Sequence, residues 1–145
     1  KAYGESGSAW VIRDKSTAEL AAEADAVRAG LQADLAAYRW EVETGGTDLA
    51  NGARIHTDRV SQAMIDGAMA TLDRGYVTTV QFKGASGWME LDTAAMTQIA
   101  QVVAQHVQAC FAAERAVSEA IDALTDAELS GFDPRAAFDA ELGTT

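Results

Sequence analysis

Residues Thr93 to Leu124 read TAAMTQIAQVVAQHVQACFAAERAVSEAIDAL, a stretch with neither glycine nor proline. Asp92 immediately before it is a ready cap, so the stretch predicts one continuous helix. At 1.5 Å per residue that helix is about 48 Å long, more than one small domain needs to cover its core. Met96, Ile99, Val103, His106, Cys110, Ala113, Val117, Ala120 and Leu124 recur within it at alternating steps of three and four. Such a heptad seam, sustained for about four heptads, is the length at which helices pack as coiled coils. Beside the seam runs an uncharged polar row, Gln98, Gln101, Gln105 and Gln108. A glutamine row serves solvent or hydrogen-bonds across a wet interface between copies, and the seam packs on another copy or on the chain's own first helix. Self-association through the long helices, giving a homo-oligomer, is the expectation.

Turn residues divide the remaining chain before it into helix, hairpin, helix and hairpin. A first helix reads from Thr17 to Glu43, capped by Ser16 or Thr17 and stopped by Gly45-Gly46. Asn51-Gly52, between Asp48-Leu49-Ala50 and Ala53-Arg54-Ile55-His56, predicts a hairpin with a type I′ turn. A second helix follows from Asp58 to Arg74, closed by Gly75, and then Tyr76 to Phe82 reads as a strand turning through Gly84 to Gly87 into Trp88-Met89-Glu90-Leu91. After the long helix, Thr125-Asp126-Ala127-Glu128 has capping-box spacing, and Asp133-Pro134 opens a last short helix ending near Leu142. The fold class is α+β: long helices packed around small antiparallel β-hairpins, in one domain over residues 16–142. Residues 1–15 read as a linker or the end of an upstream region, with Lys1 to Ala9 the linker part. Lys1 in place of methionine suggests a segment excised from a longer chain.

The first helix carries two apolar rows. Leu20, Ala24, Val27, Leu31, Leu35, Tyr38 and Val42 step as a core-facing side should. Ala22, Ala26, Ala29, Ala33, Ala36 and Trp40 form a second row, whose small residues permit close approach of another helix or subunit. Ala22, Ala26, Ala29, Ala33 and Trp40, with the four glutamines, are therefore the candidate assembly surface. The competing reading is that alanine is simply a good helix former on a wet face.

The chain has 145 residues, 22 acidic and 11 basic, for a formal charge of -11. That excess repels phosphate backbones and anionic membranes, so neither nucleic acid nor membrane is expected as a partner. Resolved along the chain it is -4 over residues 1–50, 0 over 51–91 and -7 over 92–145, so acid belongs to the helices and the hairpin region is neutral. Acidic pairs such as Glu41/Glu43 and Asp126/Glu128 read as helix-end or surface charges, and neither has the oxygen density of a calcium loop. Cys110 is the only cysteine, so no intramolecular disulfide is available. His106 and Cys110 share a face one turn apart, a spacing open to a nucleophile and base but better read as core. No run approaches the roughly 20 apolar residues that cross a bilayer. No catalytic, metal-binding or cofactor-binding residues emerge, and no cofactor is expected. Trp10, Trp40 and Trp88 are candidates for a binding platform, with Trp88 expected instead to cover the sheet.

Several segments also form an ordered set: Arg39-Trp40-Glu41-Val42-Glu43, Asn51-Gly52, Ile55, Thr57-Asp58-Arg59, Ser61-Gln62, Gly87-Trp88-Met89-Glu90-Leu91-Asp92, and Phe111 with Glu114. Over residues 30–130 this set resembles a domain of unknown function common in bacteriophage and prophage tail proteins. That domain is carried at the C-terminal end of tail-fibre or tail-tip proteins and in small proteins encoded beside tail fibres. The resemblance brings no catalytic residues. It implies a noncatalytic structural component of a phage tail, in the fibre, tip or baseplate, located in the virion after synthesis in the host cytoplasm and partnered by other tail proteins. The alternative is a tail-fibre assembly chaperone absent from the particle. A glycan or cell-wall hydrolase is the remaining reading, but the carboxylate pair or zinc ligands it needs are not visible.

Overall fold

A computed structural model describes residues 2–6 and 9–144, with side chains from Arg13 to Thr144. The long stretch forms one helix, α3, Thr93–Ala123, with Asp92 accepting from the Ala95 N–H as its cap. Every other element from Thr17 onward is arranged along it. Helix α1 is Thr17–Thr44, capped by Ser16, and helix α2 is Arg59–Asp73, capped by Asp58. Short strands β3, Thr47–Asp48, and β4, Arg54–Ile55, join α1 to α2. Strands β5, Thr79–Gly84, and β6, Gly87–Asp92, form the antiparallel hairpin that feeds α3. A 3-10 turn at Leu129–Gly131 leads to α4, Pro134–Gly143. The architecture is α+β, with helices and hairpins in the expected order.

The segment read as a linker or the end of an upstream region carries regular backbone. Its backbone forms two antiparallel strands, β1, Ala2–Ser6, paired with β2, Ala9–Arg13. The β-branched Val11 and Ile12 favour extended backbone, and pairing satisfies the N–H and C=O groups on the facing edges of the two strands. Lys1, Gly7 and Ser8, also assigned to that linker, lie outside the described residues.

Two apolar clusters share α3. Its first half supplies Met96, Ile99 and Val103 to a core completed by Ile55, Ile65, Leu72, Phe82 and Leu91 from β4, α2 and the β5–β6 hairpin. Its second half supplies Cys110, Ala113, Val117 and Ile121 to a core completed by Leu35 of α1 and Phe138 of α4. The seam is therefore occupied within the chain. It also drifts: Ile121 is fully buried while Ala120 is exposed, because a 3.6-residue period cannot hold a strict 3.5-residue seam on a nearly straight helix. On α1, Leu35 is buried, but Leu20 and Val27 are 53% and 45% exposed, so the described residues cover the N-terminal half of the core-facing row only in part.

Three local expectations are corrected. The strand expected from Tyr76 begins at Thr79, because Thr79 pairs with Asp92 and α3 starts immediately after Asp92, leaving no partner for earlier residues. Tyr76 instead helps close α2: its N–H donates to the Thr71 carbonyl while that of Gly75, at φ 71°, donates to Leu72. Asn51-Gly52 is not a type I′ turn, since only Gly52 has positive φ, at 84°. Gly52 N–H donates to Leu49 C=O and Leu49 N–H to Ala53 C=O, which makes a three-residue loop ending in a glycine bulge. Trp88 does not cover the sheet. It pairs in register with Lys83 on the outer face of the hairpin, 70% exposed, while Phe82 and Leu91 turn inward.

Candidate functional site

Among the described residues, the core is interrupted by charge at one place, where the end of α1 meets the start of α2 and the middle of α3. Glu43, in the last turn of α1, has a side chain with no solvent exposure. A carboxylate is poorly placed there, because the helix C-terminus carries the negative end of the macrodipole, so helix-end compensation does not explain it. Two arginines do. Arg59 from the first turn of α2 grips it bidentately, Nε to Oε2 at 2.9 Å and Nη2 to Oε1 at 2.8 Å. Arg39, one turn earlier on α1, donates Nη1 to Oε1 at 3.0 Å and Nε to Glu114 of α3 at 2.6 Å. Gln62 adds a longer contact to Oε2 at 3.4 Å while donating to Thr57 C=O at 2.7 Å. Both Glu43 oxygens are thus turned inward onto donors. The four charged groups, two acids and two bases, sum to zero.

The same junction satisfies the last carbonyls of α1. Thr57 is fully buried; its hydroxyl donates to Glu43 C=O at 2.6 Å and accepts from Gly46 N–H at 2.8 Å. His106 lies within 3.1 and 3.2 Å of the Val42 and Glu43 carbonyls through Nε2, and since both are acceptors, Nε2 is the protonated nitrogen. Cys110, one turn further along α3, is fully buried, and burial followed by the Glu43 charge pushes its thiol up to about 11. A thiol held at that value is a packing group, because nucleophilic chemistry needs the thiolate. The His106/Cys110 spacing therefore serves helix capping and packing. Among the described residues, no group of three or more His, Cys, Asp or Glu is arranged to hold a metal.

Aromatic rings roof the junction. The Arg39 guanidinium lies 4.5 Å from the Phe111 ring centroid and 6.0 Å from that of Trp40, and Arg59 lies 4.9 Å from Trp40. Both rings keep an outer face to solvent, Trp40 at 48% and Phe111 at 40% exposure.

The candidate assembly residues are exposed but not brought together. Ala22, Ala26, Ala29 and Ala33 lie on the side of α1 turned away from α3, since Leu35 on the opposite side is buried against Cys110, Ala113 and Val117. Trp40 ends that row over Arg59. Gln98, Gln101, Gln105 and Gln108 are exposed on α3. Of the three tryptophans proposed as a platform, Trp40 and Trp88 cover different cations, Lys83 lying 5.5 Å from the Trp88 ring, and the Trp10 side chain lies outside those described. Sequence reading missed the Glu43 junction. Its available signal was an i, i+4 Arg39/Glu43 pair with the acid at the unfavourable end of a helix.

Residues 26–137 match the family described as a domain of unknown function, DUF4376. The chain belongs to the DUF4376 family. The match spans the junction completely, from within α1 to within α4. No curated protein and no solved structure matches this DUF4376 chain.

Proposed function

We propose that this DUF4376 domain is a noncatalytic structural component of a bacteriophage tail, in the fibre, tip or baseplate, and acts by binding other tail proteins. One observation carries the noncatalytic part. Arg39, Trp40, Glu43, Thr57, Arg59, Gln62, Phe111 and Glu114, drawn from four separate segments of the sequence, converge on one neutral junction whose buried carboxylate is already saturated. Residues engaged this way hold elements in register. A carboxylate with no solvent exposure, facing two guanidinium groups, cannot reach a substrate proton. The tail assignment is supported by the resemblance of those same segments to a domain common in phage tail proteins.

Mass spectrometry of purified virions from the encoding phage or induced prophage tests the reading. The expected result is the protein in mature particles at the abundance of other tail components. Presence in infected-cell lysate with absence from particles overturns it and leaves a tail-fibre assembly chaperone. Incubation of the purified protein with peptidoglycan tests the noncatalytic part, and release of soluble glycan fragments overturns that part.

A further inference from the structure

We infer that two copies of this chain pair through the outer face of α3, with the two α3 helices antiparallel. From Thr93 to Ala113 the helix contains no Asp, Glu, Lys or Arg, in a chain with 33 such residues. Core packing accounts only for its inward positions. Ala94, Gln98, Gln101, Gln105, Gln108 and Ala112 are all exposed and equally uncharged. Depletion of charge is one compositional mark of the centre of a protein interface.

The flanks of this row fit the same reading. On one side lies an open groove of about 440 Å³ whose floor includes Met89, Leu91 and Val102, with Asn51 and the glutamines at its edges and no charged side chain in its lining. On the other side Gln108 borders a smaller groove of about 140 Å³ with a single charge, Asp66.

Like charge restricts where a second copy can dock, and self-complementarity selects that copy as the occupant. Each copy carries -11, so a second copy is repelled from the acidic helix faces and meets least repulsion on an uncharged one. A two-fold interface must also be its own complement, and a primary amide is, having both donors and an acceptor. The row is palindromic about Val103. In an antiparallel pair Gln101 of one copy meets Gln105 of the other, Gln98 meets Gln108, and Ala94 meets Ala112. Antiparallel alignment also separates the two C-terminal segments, each bearing -7 over residues 92–145, whereas parallel alignment sets them side by side. The inference stands independently of where the protein acts.

Light scattering after size exclusion, on the full chain, tests it with two charge variants at exposed positions. The wild type is expected at twice 15.3 kDa. Gln101→Glu with Gln105→Glu places acid opposite acid and is expected to weaken the dimer at least about tenfold. Gln101→Glu with Gln105→Lys places acid opposite base only in the antiparallel pair and is expected to keep the dimer. Far-UV circular dichroism checks that both variants retain their helices. A wild type that is monomeric at about 100 μM overturns the inference, since that concentration would populate even a weak dimer. So does a double-acid variant that dimerises as well as the wild type, or an acid–base variant that dissociates as readily as the double-acid one.

Discussion

Arg59 reaches from the first turn of α2 to the last turn of α1 and holds both oxygens of Glu43, at 2.9 and 2.8 Å. The bond spans 16 residues of sequence and closes the β3–β4 hairpin between the two helices. Arg39 then ties the same carboxylate to Glu114 on α3, so three helices meet at one buried charge.

Removing that charge leaves two guanidinium groups facing a neutral amide. Arg39 keeps Glu114 and Arg59 is half exposed to water, so Glu43→Gln is expected to cost roughly 1.5–3 kcal/mol, the scale for hydrogen bonds to a charged group. Urea unfolding measures it. A loss under about 1 kcal/mol would show that the junction is incidental to the fold. Combining Glu43→Gln with Arg59→Ala is expected to cost less than the sum of the two single changes, because they remove a shared interaction.

The cap of α2 makes stability acid-sensitive. The Ser61 hydroxyl, followed by the Ser61 N–H, holds the Asp58 carboxyl below its ordinary value. A carboxyl lowered on folding stabilises the protein above its unfolded-state pKa, and that contribution fades as pH falls through the folded value. Asn at this position still caps but does not titrate. The advantage of wild type over Asp58→Asn is therefore expected to shrink between about pH 6 and about pH 3, read from thermal melts. A gap that stays constant across that range contradicts the assigned cause.

Cys110 is expected to report global opening. With its thiol buried and raised to about 11, a disulfide reagent near pH 8 should react in native protein only through unfolding. Addition of denaturant is expected to speed labelling by at least about a hundredfold, because it exposes a thiol with an ordinary pKa. Rapid labelling of the native protein would contradict the packing of α1 and α4 against this part of α3.

The hairpin turn separates its two residues energetically. Gly52 occupies φ 84°, so Gly52→Ala is expected to cost about 1 kcal/mol. Asn51 has no positive φ, and its side chain accepts from Ala53 N–H at 2.9 Å, so Asn51→Ala removes only that exposed hydrogen bond, about 0.5 kcal/mol. Equal, large losses at both positions would instead indicate a type I′ turn.

What could be read from the sequence was what neighbours in the chain decide. Ser16, Asp58, Asp92 and Asp133 cap their helices because each cap hydrogen bond closes within three residues. The Thr125–Glu128 spacing likewise returns as bonds from Thr125 N–H and its hydroxyl to the Glu128 carboxylate at 2.8 and 2.9 Å. The element order and the α+β class follow from these local signals and from hydrophobic period. What could not be read depends on distant partners. The same three-and-four spacing fits a seam between copies or a core within one chain, and only partners distant in the chain, Ile55 and Ile65 for its first half and Leu35 and Phe138 for its second, put α3's seam inside.

Glu43 makes the division plain. On the sequence it is a carboxylate among the acidic residues of a solvated helix, since charge and composition carry no information about depth. Burial became tolerable only when folding brought Arg59 from another helix to its oxygens and Thr57 and His106 to the neighbouring carbonyls. Cap bonds that span two or three residues set where the helices begin, so those starts could be read from neighbours in the chain. Tertiary structure alone decided which charge is buried and which face of α3 is left bare, because both depend on groups that meet only after the chain has folded.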